Sequence, residues 1–273
     1  MTEHVTTLVL GGTGKTGRRV ARRLTERGIP TRIGSRAGTP PFDWTDRDTW
    51  KPALDGIDAV YLAYQPDLAA PGAVGTVGDL ARLAADHGVR RLVLLSGRGE
   101  PEAAEAERAV AASGVDCTVL RASWFAQNFS EGYLAEPVRA GFVALPVGDV
   151  PEPFVDADDI AEVAVAALTE PGHAGATYEL TGPRLLTFAE AVAEIATAAG
   201  RPVRFVPVSS SAYATELTAA GVSTEEVALL TYLFTEVLDG RNARLADGVQ
   251  RVLGRPPRDF RGYATEAAGA WRH

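Results

Sequence analysis

The sequence holds one cysteine, one methionine and only two lysines, Lys15 and Lys51, among 27 basic residues. A lone cysteine excludes an internal disulfide. Cys117 lies in the apolar run Cys117-Thr118-Val119-Leu120 and reads as a small buried strand residue rather than a nucleophile. The lysine scarcity leaves 25 arginines, and with the abundance of alanine this reads as the bias of a high-GC genome, not as chemistry. Positive charge is not in excess: the net charge of −8 argues against nucleic acid or an anionic membrane as the main partner. No stretch approaches the roughly 18 apolar residues of a membrane span. The opening Met1-Thr2-Glu3-His4 lacks the basic start of a secretory signal, so a cytoplasmic protein is expected. Internal repeats and low-complexity linkers are also missing, and no metal site is expected.

What is present is alternation. With 273 residues, 46% of them hydrophobic, the chain can bury a large core. Strands are predicted at Val5–Leu10, Thr31–Gly34, Ala59–Ala63, Arg91–Leu95 and Asp116–Leu120. Helical spacing separates them at Val20, Ala21 and Leu24, at Val74–His87 and at Glu102–Ser113. Strand–helix alternation at this spacing implies βαβ units. The expected fold is therefore α/β, a Rossmann-type doubly wound parallel sheet, with ligands at the strand C-termini. The core is expected over about residues 1–140. Glycine and proline then punctuate Gly141–Pro153, and a smaller C-terminal substrate lobe is expected over about 141–273. In it Asp158-Asp159 opens a helix to Leu168, and Tyr178–Leu180 is a short strand. Thr187–Ala199 is a helix with a Thr187/Glu190 capping box, and Glu225–Leu238 is a further helix.

Between the first strand and first helix lies Gly11-Gly12-Thr13-Gly14-Lys15-Thr16-Gly17, with glycines at 11, 14 and 17. A tight turn of this kind turns backbone amides and a helix N-terminus toward a diphosphate. Gly14-Lys15-Thr16 also resembles the end of a triphosphate-binding loop. That loop requires a glycine five residues before Gly14, where Val9 stands; a purely structural turn is the remaining alternative. NAD sites carry an acidic residue at the end of the second strand, to bind the ribose 2′-hydroxyl. Here that strand ends Ile33-Gly34-Ser35-Arg36 without a carboxylate. Ser35 as donor and Arg36 as a fork for a 2′-phosphate favour NADPH. The alternative for Arg36 is a solvated loop cation.

The glycine loop, Ser35-Arg36 and Phe42-Asp43-Trp44-Thr45-Asp46-Arg47-Asp48-Thr49-Trp50 together resemble the NmrA-like branch of atypical short-chain dehydrogenases. Within it the chain is similar to the agroclavine and festuclavine dehydrogenases of ergot alkaloid biosynthesis. The likeness continues through Leu94-Leu95-Ser96-Gly97, Leu120–Phe129, Phe154–Ala161 and Val252–Pro257, nearly the whole chain. It implies that Asp43 contacts the adenine amino group beside Trp44. Ala63, Tyr64 and Gln65 would line the ribose and nicotinamide, with Ser96 at the strand end nearest the nicotinamide. Trp124, Phe125 and Asn128 would wall a pocket for a small organic substrate. For Asp43 a plain loop role, and for the two aromatics a plain core role, stay open. Asp156, Asp158 and Asp159 read as capping and packing residues.

Most short-chain dehydrogenases protonate the alkoxide product with Tyr-x-x-x-Lys. Between Ser96 and Asn128 there is neither tyrosine nor lysine, and Ala104 stands where many NmrA-like chains place a lysine ahead of Glu107. A substrate that needs no strong acid would still react. An iminium ion becomes a neutral amine, and a quinone or enone becomes a delocalised oxyanion that water or the Ser96 hydroxyl would stabilise. The expectation is an NADPH-dependent reductase of secondary metabolism acting on C=N or activated C=C bonds. The competing reading is a non-catalytic NADP(H) sensor with a protein partner. Trp124, Phe125, Tyr133 and Phe234, as apolar walls for a ligand, weigh against it. A cyclase or isomerase and a homodimer stay open.

Overall fold

The computed structural model describes residues 5–272; Met1–His4, and with them the reading of the N-terminal start, lie outside the described residues. Among the described residues eight strands are present: β1 Thr7–Leu10, β2 Thr31–Gly34, β3 Ala59–Leu62, β4 Arg91–Gly97, β5 Asp116–Ala122, β6 Phe142–Leu145, β7 Thr177–Leu180 and β8 Arg204–Pro207. Six form an all-parallel sheet in the order β2-β1-β3-β4-β5-β7, and β6 pairs with β8 in a separate parallel pair. The Rossmann-type α/β fold is thus present. The first five expected strands match within two residues at each end, and β4 and β5 run on to Gly97 and Ala122.

The chain divides into two compact units, each discontinuous. The first holds the residues through Ala122 together with Ala157–Leu180 and Asp247–Arg255. The second holds Ser123–Asp156, Thr181–Ala246 and the residues from Pro256 on. The segments 157–180 and 247–255, expected in a C-terminal lobe, therefore join the sheet unit, because β7 completes its sheet beside β5.

In the first unit, strand alternation decides which side chains meet which helices. Leu8, Leu10, Val60, Leu62, Leu92, Leu94, Cys117 and Val119 face one apolar cluster, shared with Trp50, Val77, Leu80 and Ala106. Cys117 is buried and free, and burial pushes its thiol up to about 11, as the strand reading required. The helix Gly17–Glu26 packs on the helix Ala157–Thr169. Asp158 and Asp159 sit in the first turn of the latter. Burial opposes ionisation of Asp158, but Arg19 at 2.9 Å and Arg23 at 2.6 Å hold its carboxyl below the usual range. Asp159, fully buried, takes Arg255 at 2.8 Å.

The second unit has its own aromatic core, with Phe129, Phe154, Phe188, Phe234, Phe260 and Trp271 among its members. Its β6/β8 pair was not foreseen, since β6 lies in a stretch read as glycine- and proline-rich loop and β8 is mostly exposed. The Thr187 capping box is present in both directions, Glu190 N–H to Thr187 Oγ1 at 3.1 Å and Thr187 N–H to Glu190 Oε2 at 2.8 Å. The helix foreseen at Glu225–Leu238 runs as Thr224–Tyr232 and then widens into a π turn, Leu233–Val237. Among the described residues no helix is long and apolar enough to cross a membrane.

Candidate functional site

The site begins with register. Because β1 lies between β2 and β3, with Leu10 opposite Gly34 and Val9 opposite Tyr61, the loops leaving these strands emerge side by side. The glycine loop is clasped between its neighbours. Gly11 has φ +67°, and a Cβ there would stand 3.0 Å from the Ala63 carbonyl oxygen. A Cβ on Gly12 would stand 2.8 Å from Ile33 Cγ2, and one on Gly17 only 2.2 Å from the Gly11 carbonyl oxygen. The Gly14 amide donates to the Gly11 carbonyl at 2.9 Å and closes the turn. Val9 is wholly buried within β1, so nothing of a longer triphosphate loop remains.

The helix that follows has no side-chain cap and no acidic residue in its first turn. Thr16, at the capping position, accepts instead from the Tyr61 hydroxyl at 3.0 Å, inside the sheet unit. Burial raises the Tyr61 hydroxyl pKa, so this tyrosine is a buried strut and no acid. The uncapped turn leaves the positive end of the helix to an external anion. Thr13 is exposed and Lys15 half-buried on the same loop, and the Lys15 carbonyl accepts from Arg19 at 2.8 Å. The cradle that side chains would fill, with a free helix end beside it, fits a diphosphate.

After β2, the Ser35 carbonyl accepts two amides, from Gly38 and Phe42, both at 2.9 Å. This folds 35–42 into a tight loop whose tip carries the exposed Arg36. Phe42 then anchors an aromatic group: Phe42–Trp44 centroids lie 4.9 Å apart, Trp44–Tyr64 4.9 Å and Phe42–Trp50 6.3 Å. The Trp50 indole N–H donates to the Asp43 carbonyl at 2.8 Å. The Asp43 carboxylate accepts from the Thr45 amide at 2.9 Å and hydroxyl at 2.8 Å; with Arg36 nearby these hold it below the usual carboxylate range. Asp43 is thus kept as an acceptor beside the half-buried Trp44. Ala63, Tyr64 and Gln65 follow β3, and Tyr64 is tied to the Phe42 group through Trp44. Every residue expected around the cofactor therefore belongs to one unit, grouped at the ends of β1, β2 and β3.

Ser96 requires a correction. It is 3% exposed and donates to Glu107 Oε1 at 2.6 Å, while Arg121 holds both Glu107 oxygens, at 2.9 and 2.6 Å. The Ser96–Glu107–Arg121 group locks β4, β5 and the helix Pro101–Ala111 together and directs the Ser96 hydrogen away from the expected role. Sequence reading saw Glu107 only as a counting mark; its burial among polar partners is a tertiary fact.

In the second unit, Trp124 packs with its ring centroid 4.7 Å from Phe234 and 5.6 Å from Phe188, and Tyr133 lies 6.3 Å from Phe234. Three of the four expected wall residues are thus brought together. Phe125 pairs by backbone with Val155 and joins none of these ring contacts; Asn128 opens the short helix Asn128–Glu131.

Residues 11–171 match a family model described as NAD(P)H-binding. The chain belongs to this NAD(P)H-binding, NmrA-like family of atypical short-chain dehydrogenases. Among its relatives is the agroclavine dehydrogenase of Claviceps fusiformis, 32% identical over 98% of this chain and 99% of the relative. Another is a (4-alkanoyl-5-oxo-2,5-dihydrofuran-3-yl)methyl phosphate reductase of Streptomyces griseus, 36% identical over 97% of this chain and 98% of the relative. An NADPH-dependent quinone oxidoreductase of Escherichia coli, solved with NADPH, has the same fold; its TM-score is 0.79 at 20% identity, covering 96% of this chain and 99% of that one. Neither lysine has a tyrosine four residues before it, since those positions hold Gly11 and Arg47.

Proposed function

We propose that this chain is an NADPH-dependent reductase that transfers hydride to an activated C=N bond, as in an iminium ion, or to a conjugated C=C bond or quinone, in secondary metabolism. The observation that carries the cofactor choice is the end of β2. No carboxylate stands there, and an exposed arginine occupies the tip of a loop that the Ser35 carbonyl pins. The acceptor class rests on the absence of Tyr-x-x-x-Lys and on the names of the relatives, which include a clavine dehydrogenase and a reductase of an oxo-dihydrofuran.

The bound dihydronicotinamide would supply the hydride. The chain's own residues then have separable tasks. The 11–17 loop and the uncapped helix hold the diphosphate, and Arg36 forms a fork to the 2′-phosphate. Asp43, kept ionised by Thr45, accepts from the adenine amino group beside Trp44. The half-buried Trp124 and Tyr133 offer apolar faces to an organic acceptor, with the buried Phe234 behind them.

The test is NADPH oxidation by purified protein against cyclic iminium ions, quinones and enones, with plain ketones as the comparison. Turnover confined to plain ketones, or tighter binding of NADH than NADPH, would overturn the reading. Arg36→Ala is expected to raise the Kd for NADPH about 10- to 100-fold, the worth of a charge-assisted hydrogen bond, and to leave that for NADH almost unchanged. Isothermal calorimetry with both cofactors checks it. Ser96→Ala is expected to lower stability by about 1 kcal/mol, since Arg121 still holds Glu107, and to leave turnover within about twofold. Thermal unfolding and steady-state rates decide that.

A further inference from the structure

Two carboxyls meet just beyond the ends of β3 and β4. Asp67 follows β3 after Tyr64-Gln65-Pro66, and Glu100 follows β4 after Arg98-Gly99. Glu100 occupies the capping position of the helix Pro101–Ala111, where an acidic side chain ordinarily accepts first-turn amides; it makes no such bond. Its carboxyl folds back over the last residue of β4. A Cβ built on Gly97 would stand 2.0 Å from Glu100 Oε1 and 2.3 Å from Oε2, so only glycine leaves the carboxyl its place. There it hydrogen-bonds to Asp67, while Glu100 Oε2 is buried and unpartnered among the described residues.

The two partners are not equivalent. Asp67 Oδ1 accepts the Ala69 amide at 2.8 Å, a bond that favours charge on Asp67. Glu100 has no comparable donor, and Arg98, two residues before it, pairs with Glu179 on β7 at 3.1 Å. Burial first, then the charges of Asp67 and Glu102, hold the Glu100 carboxyl well above the usual carboxylate range; burial also raises Asp67. Two such groups compete for one proton, and the Ala69 amide on Asp67, with no such donor on Glu100, favours its place on Glu100.

The pair stands at the carboxyl edge of the sheet, where ligands of this fold bind, in a chain without the usual tyrosine and lysine. We propose that the Asp67–Glu100 pair is this chain's acid, with Glu100 as the proton donor to the oxyanion formed when a quinone or enone accepts hydride, and Asp67 and Gly97 as its positioning residues. The inference rests on the reductase reading above. Hydride brings two electrons and one hydrogen to the acceptor carbon or vinylogous position, and the π pair moves to oxygen. The Glu100 O–H bond breaks and its proton goes to that oxygen. The dinucleotide leaves oxidised, and the carboxyl pair regains a proton from water. An iminium acceptor needs no proton and bypasses the pair.

The first test needs no turnover. Infrared spectra of protein labelled with 13C-glutamate are expected to show, at pH 7, a protonated carboxyl band that Glu100→Gln removes. If Glu100 is ionised at that pH, the proposal is overturned. A folded-state carboxyl raised above its unfolded value contributes stability below the ordinary carboxylate range and loses it as pH rises. Wild type should therefore weaken from the carboxylate range upward, and Glu100→Gln should flatten that slope. In turnover, Glu100→Gln is expected to slow a quinone or enone about 100-fold. The NADPH Kd should stay as in wild type, and a cyclic iminium ion should be reduced at the wild-type rate. Asp67→Asn should move the alkaline limb of kcat/KM to lower pH. Equal loss on both acceptor classes, or no loss on either, refutes the donor role. A wild type that binds NADPH and reduces no acceptor refutes the reductase reading, and the donor role with it, whatever the spectra show.

Discussion

Gly17→Ala is expected to abolish measurable NADPH binding and to destabilise the protein, although alanine is the better helix former. Gly17 opens the helix Gly17–Glu26, and exchange to alanine inside a helix ordinarily gains about 1 kcal/mol. Here the added Cβ would stand 2.2 Å from the Gly11 carbonyl oxygen, 2.7 Å from its carbon and 2.9 Å from Gly12 Cα. All three are backbone atoms of the glycine turn and cannot swing aside as a side-chain tip can. Relief requires the helix and the turn to separate, which overpacking data put at about 1–3 kcal/mol, and it dismantles the cradle at the same time. Gly75→Ala is the matched control. It lies in the helix Ala73–Asp86 of the same unit with nothing within 4 Å of its Cβ, and is expected to be neutral or slightly stabilising. Calorimetric titration with NADPH and thermal unfolding of both variants check this. A Gly17→Ala protein that binds like wild type would remove the physical basis assigned to the turn.

The second large effect is expected in the other unit. Trp271 is fully buried, donates its indole N–H to the Phe129 carbonyl at 2.8 Å, and faces Tyr263 at 6.1 Å between ring centroids. Its own carbonyl accepts from Arg201 at 3.1 Å. Trp271→Ala therefore opens a cavity and strands a buried carbonyl. A loss of about 3–5 kcal/mol is expected, which is roughly 10 °C or more in Tm for a chain of this size. Trp271→Phe retains most of the packing without the N–H and should fall between. Phe129 is in ring contact with Phe188 at 6.0 Å, and Phe188 with Trp124 at 5.6 Å, so the same substitution should loosen the apolar wall. The expected signature is a raised KM for the organic acceptor with an unchanged Kd for NADPH, whose proposed residues lie in the first unit. Unchanged thermal unfolding would contradict the packing role.

Much of the first unit was legible beforehand. A buried parallel strand is written as a continuous apolar run, so β1, β3, β4 and β5 stand out between helices of amphipathic spacing. The glycine loop and the Thr187–Glu190 box are local devices, formed by residues at most six apart, and spacing alone reveals them. The β6/β8 pair was not legible. Phe142 is 51% exposed and Val206 40%, so neither strand carries the continuous buried pattern that identifies its neighbours. Nor was the unit boundary. β7 lies after a helix in the chain, yet belongs beside β5, and only strand pairing across 58 residues reveals it.

Ser96 shows where local reading stops. A serine at the end of a strand near a nicotinamide site has the right chemistry, but whether its hydrogen is free depends on Glu107 and Arg121, 11 and 25 positions on. Glu100 is the reverse case. As an acidic residue before Pro101 it looks like an ordinary helix start, and it becomes an acid only because Asp67, 33 positions earlier, and the missing side chain of Gly97 enclose it.

By itself the sequence determined the layering of this protein, the glycine turn after β1, the arginine in place of a carboxylate after β2, and the lack of Tyr-x-x-x-Lys. Each is a matter of residue type at short spacing, where backbone geometry leaves few choices. Tertiary structure alone decided which polar groups are satisfied and which stay poised, which segments complete which sheet, and which aromatic rings share a wall. Those depend on burial and on pairings between distant residues, and desolvation, unlike helix spacing, has no local signature in the chain.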